Sequence, residues 1–169
     1  MLKRKLLIPP NLKNLEKQKI LSTPVFKRIG LTRKEYLDEN IIKRQEKEFV
    51  RKFIKRGEKI VWIKRDSKVD IKTGIYYPTN DFIWCKEEWE LKSRCGKTVR
   101  DKTVIKRINE SVDKEKRRIC LDLGNNIPTE RLLEKLSSYN ISRSQNQKKR
   151  YVKNIIIYDK EGLWEIILK

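Results

Sequence analysis

No histidine occurs anywhere in the 169 residues of this chain. That absence removes a histidine general base, Ser-His and Cys-His nucleophilic catalysis, and histidine-ligated zinc. Any catalysis must rest on carboxylates, lysines, tyrosines or thiols. Cysteine is scarce as well. Cys85, Cys95 and Cys120 form an odd set without CxxC spacing, so neither a disulfide framework nor a structural zinc site is indicated. Cys85 and Cys120 fall in apolar, strand-like runs and read as buried packing residues, whereas Cys95 beside Gly96 reads as a loop thiol. The pattern suits a reducing cytoplasm as the place of action. No apolar run approaches the roughly 18 residues of a membrane span. The start, Met1-Leu2-Lys3-Arg4-Lys5, is like that of a signal peptide, but Leu6-Leu7-Ile8 is too short for its apolar stretch and Pro9-Pro10 ends it.

Acidic residues are the other shortage: 23 Asp and Glu stand against 43 Lys and Arg, a formal charge of +20. A lysine-rich proteome would raise Glu alongside Lys, so the imbalance points to a polyanionic partner, nucleic acid. The apolar fraction of 37% is low but sufficient for one core. The expected organisation is a basic arm or linker over residues 1–40 followed by one domain over 41–169. The arm holds Pro9, Pro10 and Pro24 with little apolar periodicity; it reads either as a solvated tail or as an arm on nucleic acid. Thr32, with Glu35 three residues on, suggests a short capped helix.

Beyond the arm, Ile42, Phe49, Phe53 and Ile54 predict a helix over 41–56 that Gly57 stops. Strands follow at 59–64 and 81–85, with a polar loop between that holds a possible strand at 75–77. Lys86-Glu87 is expected as a tight turn, leading to a strand at 89–92. After a polar loop around Gly96, Val104, Ile105, Ile108 and Val112 predict a second helix over 101–115. A strand at 118–123 ends at Gly124, and Pro128 opens a third helix bearing Leu132, Leu133 and Leu136. A basic loop over 141–153 precedes a terminal hairpin, 154–158 and 163–168. The order is αβββαβ followed by a helix and two strands, which implies an α/β fold with a mixed sheet, since a helix between strands makes a crossover.

Chemistry concentrates at residues 80–92. Asp81 stands ahead of the Glu90-Leu91-Lys92 triplet with eight residues between them. Strand alternation puts Glu90 and Lys92 on one face, and the expected hairpin brings Asp81 near Lys92, within diagonal reach of Glu90. Asp81 and Glu90 are candidate ligands for Mg²⁺ or Mn²⁺, with the Leu91 carbonyl as a further oxygen donor. Lys92 would position or help deprotonate an attacking water and offset charge on a phosphorane. A surface salt bridge is the competing account. Glu-x-Lys occurs once in the chain, at 90–92; Asp-x-Lys occurs at Asp66-Lys68 and Asp70-Lys72, in a polar loop with no preceding acidic strand.

Asn80-Asp81 followed by Glu90-x-Lys92, set between a helix and a helix–strand unit, resembles the PD-(D/E)xK nuclease signature, whose core order is αβββαβ. The stretches 78–82, 89–93, 119–123 and 155–159 are similar to those of the C-terminal tRNA-nuclease toxin domains of contact-dependent growth inhibition and related polymorphic toxins, over residues 41–168. The resemblance implies a restriction-endonuclease-like core with an extra helix and a C-terminal hairpin, a metal-dependent endonuclease acting on tRNA, and a cognate immunity protein. It also implies delivery into a target cell's cytoplasm from a larger secreted protein. A helical glutamate often joins the metal site in this superfamily, and Glu46 matches best, with Glu48 as competitor. The proline that usually precedes the aspartate is displaced here, Pro78 standing three residues ahead of Asp81.

Candidate phosphate contacts are Lys97 and Arg100 near the triplet, and Arg143, Lys148, Lys149, Arg150 and Lys153 in the basic loop. Lys102 and Lys106 on the second helix are weaker candidates. Tyr76, Tyr77 and Tyr151 are candidate stacking partners for unpaired bases, or packing residues. A DNA endonuclease of restriction or resolvase type, and a non-catalytic nucleic-acid-binding protein, are the competing functions.

Overall fold

A computed structural model describes residues 4–6, 42–58, 60–63, 80–93, 98–141 and 151–169. The rest of the 1–40 arm and its boundary, the Thr32 cap, the possible strand at 75–77 and the Gly96 loop lie outside the described residues. Strands β1 (Arg4–Leu6), β2 (Val61–Trp62), β3 (Phe82–Trp84), β4 (Glu87–Ser93), β5 (Arg118–Asp122), β6 (Asn154–Tyr158) and β7 (Leu163–Ile166) are interleaved with helices α1 (Arg44–Lys55), α2 (Asp101–Asp113) and α3 (Glu130–Ser137). After β1 the order is α1-β2-β3-β4-α2-β5-α3-β6-β7, an α/β arrangement. The chain forms two compact units, Pro9–Glu88 and Met1–Ile8 with Trp89–Lys169.

In the unit Pro9–Glu88, α1 ends because Gly57 adopts φ 74°, a conformation open to glycine at little cost. The Gly57 N–H then donates to the Ile54 carbonyl at 2.9 Å and Glu58 N–H to Phe53 at 3.1 Å, a Schellman closure. One face of α1 buries Phe49, Val50 and Phe53. Phe49 and Phe53 pack on Phe82 of β3, with ring centroids 5.2 and 6.1 Å away, and Trp62 of β2 stacks on Phe82 from 6.2 Å. Antiparallel pairing of Val61 with Ile83 and Trp62 with Phe82 holds the two strands.

The turn after β3 departs from expectation. It is Cys85-Lys86, one residue earlier than Lys86-Glu87, and both residues take positive φ (53° and 65°). Two successive left-handed residues make the turn whose twist matches a hairpin, which Asn-Gly would ordinarily signal. Without that signal, Cys85 reads as an apolar strand residue; it is instead exposed at the tip. Asn80 Nδ2 donates to Glu88 Oε2 at 2.7 Å, tying the chain on either side of the reversal.

In the other unit, β4, β5 and β6 are parallel, β7 is antiparallel to β6, and β1 is antiparallel to β7. This mixed sheet needs α2 and α3 as crossovers between its parallel strands. The helices lie on one face, where Val104, Ile108, Val112, Leu132, Leu133 and Leu136 pack with Ile119, Leu121, Ile155 and Ile157. Thr129, not Pro128, caps α3: its Oγ1 accepts the Leu132 N–H at 3.1 Å, so the helix starts at Glu130. Residues 4–6, expected within an arm, form β1, with Arg4 opposite Ile166 and Leu6 opposite Trp164. Arg4 pairs with Asp159 at 2.8 Å and Glu161 at 3.1 Å, and its guanidinium lies 4.0 Å from the Trp164 ring centroid.

Candidate functional site

Glu90 and Lys92 occupy alternate positions of β4, so both side chains leave the strand on one face. Lys92 Nζ donates to Glu90 Oε1 at 2.6 Å. The parallel register sets Glu90 level with Ile119 and Lys92 level with Leu121, both members of the core under α2 and α3. The pair is therefore largely withdrawn from water: Glu90 is 8% exposed and the Lys92 side chain 22%. An ion pair in such surroundings is stronger per contact than one on the surface, and loss of either member strands a charge. Chemically it offers a fixed carboxylate able to hold a cation and an ammonium whose remaining donors can meet an anionic substrate.

Arg107 was not among the residues singled out from the sequence. From α2 its guanidinium donates to the Ser93 carbonyl, fixing the end of β4 next to Lys92. The signal available was its place beside Ile108 and three residues after Val104, at the margin of the helix's apolar stripe. Lys102 and Lys106, by contrast, are exposed, and Lys106 is ion-paired with Glu110 at 4.0 Å.

Asp81 and Glu46 belong to the unit Pro9–Glu88. Asp81 is half-buried just before β3, and its carbonyl accepts the Ile63 N–H at 2.9 Å. Glu46 closes the first turn of α1, its Oε2 accepting the Lys43 N–H at 2.7 Å. Glu48, exposed, pairs with Arg44 at 3.3 Å. The same unit holds a buried carboxylate that the sequence did not single out, Glu58. It pairs with Arg56 at 2.8 Å and accepts the Trp84 indole N–H. Packing around the exposed turn residue Cys85, and secondly the Glu58 charge, push its thiol above the ordinary cysteine value.

Among the candidate phosphate contacts, Arg100 is exposed at the N-terminus of α2, and Lys153 is exposed with its backbone N–H bonded to the Arg117 carbonyl at 2.7 Å. Tyr151 is half-buried. Lys97, Arg143, Lys148, Lys149, Arg150, Tyr76 and Tyr77 lie outside the described residues.

Among the described residues, no group of three or more His, Cys, Asp and Glu side chains is placed to hold a metal ion. Mg²⁺ is commonly held by one or two carboxylates together with water and substrate phosphate oxygens, so the hard oxygen donors of Glu90 suit it chemically. No helix among these residues is long and apolar enough to cross a membrane. Compared with known proteins, the chain matches no family model, no curated protein and no solved structure.

Proposed function

We propose that the protein is a metal-dependent endonuclease of the PD-(D/E)xK kind, built on a restriction-endonuclease-like core. The observation that carries the reading is the withdrawn Glu90–Lys92 pair, formed at 2.6 Å by the only Glu-x-Lys of the chain. The order α1-β2-β3-β4-α2-β5 and the net charge of +20 support it. Glu90 serves as a metal ligand and holds Lys92 beside it. Lys92 directs its remaining donors to the scissile phosphate or the attacking water and offsets the charge that develops there. Asp81 is taken from the sequence as the second ligand, just ahead of the strand that the Cys85-Lys86 turn reverses. Glu46 remains a further ligand only if its carboxylate leaves the helix cap. A bound Mg²⁺ or Mn²⁺ would polarise the phosphoryl oxygen and lower the pKa of its water.

Transfer RNA is the favoured substrate, and a cytoplasmic toxin with a cognate immunity protein the favoured setting; both rest on the resemblance of residues 41–168. The test incubates purified protein with tRNA and with plasmid DNA, in Mg²⁺ or in EDTA. Wild type should cut tRNA only with metal, and Asp81→Ala, Glu90→Gln and Lys92→Ala should each lose at least about 100-fold in rate, as for lost transition-state stabilisation of a few kcal/mol. Nicked plasmid with intact tRNA would move the reading to a DNA endonuclease. Binding without metal-dependent cleavage would sink both.

A further inference from the structure

Helix α1 carries a second basic surface that the candidate site does not use. At 3.6 residues per turn, Arg44, Arg51 and Lys55 fall within roughly 40° of arc on the side opposite Phe49, Val50 and Phe53. All three are exposed, Arg44 with 84% of its side chain in water. Lys47 and Lys52, each half-buried, flank this stripe. Among the described residues one acid interrupts it, Glu48, and Arg44 pairs with that carboxylate at 3.3 Å. Among the described residues the stripe itself carries three exposed cations, Arg44, Arg51 and Lys55, against one anion along about 16 Å of helix. Ile54 lies about 60° round the helix from Arg51, beside the stripe, with 60% of its surface exposed. On a face that meets nucleotides the cations neutralise phosphates, and a neighbouring apolar group can cover sugar or base.

We infer that this face of α1 is a nucleic-acid backbone-binding surface, tracking about three consecutive phosphates with Arg44, Arg51 and Lys55. The inference shares with the proposed function only its choice of nucleic acid as ligand. It does not require Glu90, Lys92 or a metal.

The test measures binding of a 20-nucleotide single-stranded oligonucleotide by the full chain, in EDTA, across a salt series. The variant Arg44→Gln/Arg51→Gln/Lys55→Gln keeps good helix formers on α1. Its dispersed control is Lys114→Gln/Lys160→Gln/Lys169→Gln, which removes three exposed charges elsewhere. Each phosphate contact on a single strand contributes about 0.7 to the slope of log affinity against log salt, so the α1 variant should lose about 2 in slope. Between 50 and 200 mM salt, wild type should then weaken about 18-fold more than the α1 variant. The control should lose less than half as much slope. Equal losses in both variants would assign the effect to diffuse charge and overturn the inference, as would an unchanged slope in the α1 variant with its circular dichroism intact. Polyglutamate of matched charge, bound with the same α1 dependence and equal affinity, would also overturn it. Cleavage of tRNA is scored separately: α1-dependent binding without cleavage removes the proposed enzyme and leaves this surface standing, and cleavage with an α1-independent slope does the reverse.

Discussion

Replacing Asp159 by alanine removes a carboxylate on which four donors converge. Its side chain is fully buried and accepts four donors. Oδ1 takes the Glu161 and Gly162 backbone N–H groups at 2.8 and 3.0 Å and the Trp164 indole N–H at 3.0 Å, and Oδ2 takes Arg4 at 2.8 Å. Taking away one member of a buried ion pair costs roughly 3–5 kcal/mol, because the survivor is left uncompensated. Here Arg4 keeps Glu161 and the Trp164 ring, so the low end applies, about 3 kcal/mol. With a urea m-value of about 2 kcal/mol/M, the unfolding midpoint should fall by about 1.5 M. Asp159→Asn retains an acceptor for the two turn N–H groups and should cost about half as much. Amide exchange at Glu161 and Gly162 should accelerate in the alanine variant and much less in the asparagine variant. A double-mutant cycle with Arg4→Ala should return a coupling of at least about 1 kcal/mol. A loss below about 1 kcal/mol for Asp159→Ala, or a coupling of zero, would refute the argument that this carboxylate docks β1 onto β7.

Two smaller perturbations follow from the local geometry. A thiol pushed up holds less thiolate at a given pH, so in a Cys95→Ser background iodoacetamide should label Cys85 with a pH midpoint above that of a free cysteine peptide. Glu58→Gln should lower that midpoint by removing the negative charge, and a midpoint at or below the peptide's in the parent would contradict the assignment. Glu115 closes α2 at φ 61°, with its N–H bonded to Val112 and that of Lys116 to Ser111, so Glu115→Gly should stabilise by about 0.5–1 kcal/mol in urea unfolding; a loss of stability would show that its side chain matters more than its backbone.

Local chemistry made much of this molecule legible before any coordinates. Phe49 and Phe53 of the α1 stripe and its Gly57 stop follow from periodicity and from the one residue that accepts positive φ freely, whereas Ile54, expected on the same stripe, is exposed and Ile42 precedes the helix. The shared face of Glu90 and Lys92 follows from strand alternation. The α2 and α3 apolar faces were set by Val104, Ile108, Leu132 and Leu136. What escaped was either conformational or non-local. Cys85 and Lys86 enter left-handed conformations without a glycine or asparagine to announce them. Thr129 outcompeted Pro128 for the start of α3 because its hydroxyl satisfies a backbone donor. β1 escaped because its partners are about 160 residues away, and nothing in the local pattern of residues 4–6 points to them. Arg107, at the margin of an apolar stripe, and Glu58, just past the end of α1, escaped because each looks like any solvated charge until its partner is known.

The pairing of β1 with β7 also sets a clock. Arg4 and Asp159 are separated by 155 residues, so a ribosome working at roughly 5–20 residues per second needs about 8 to 30 s to supply the second after the first. During that interval Arg4 has neither its carboxylates nor the Trp164 ring, and the edge of β7 does not yet exist. Whatever β1 contributes to the stability of the finished sheet, its pairing with β7 cannot guide the folding of segments synthesised before β7.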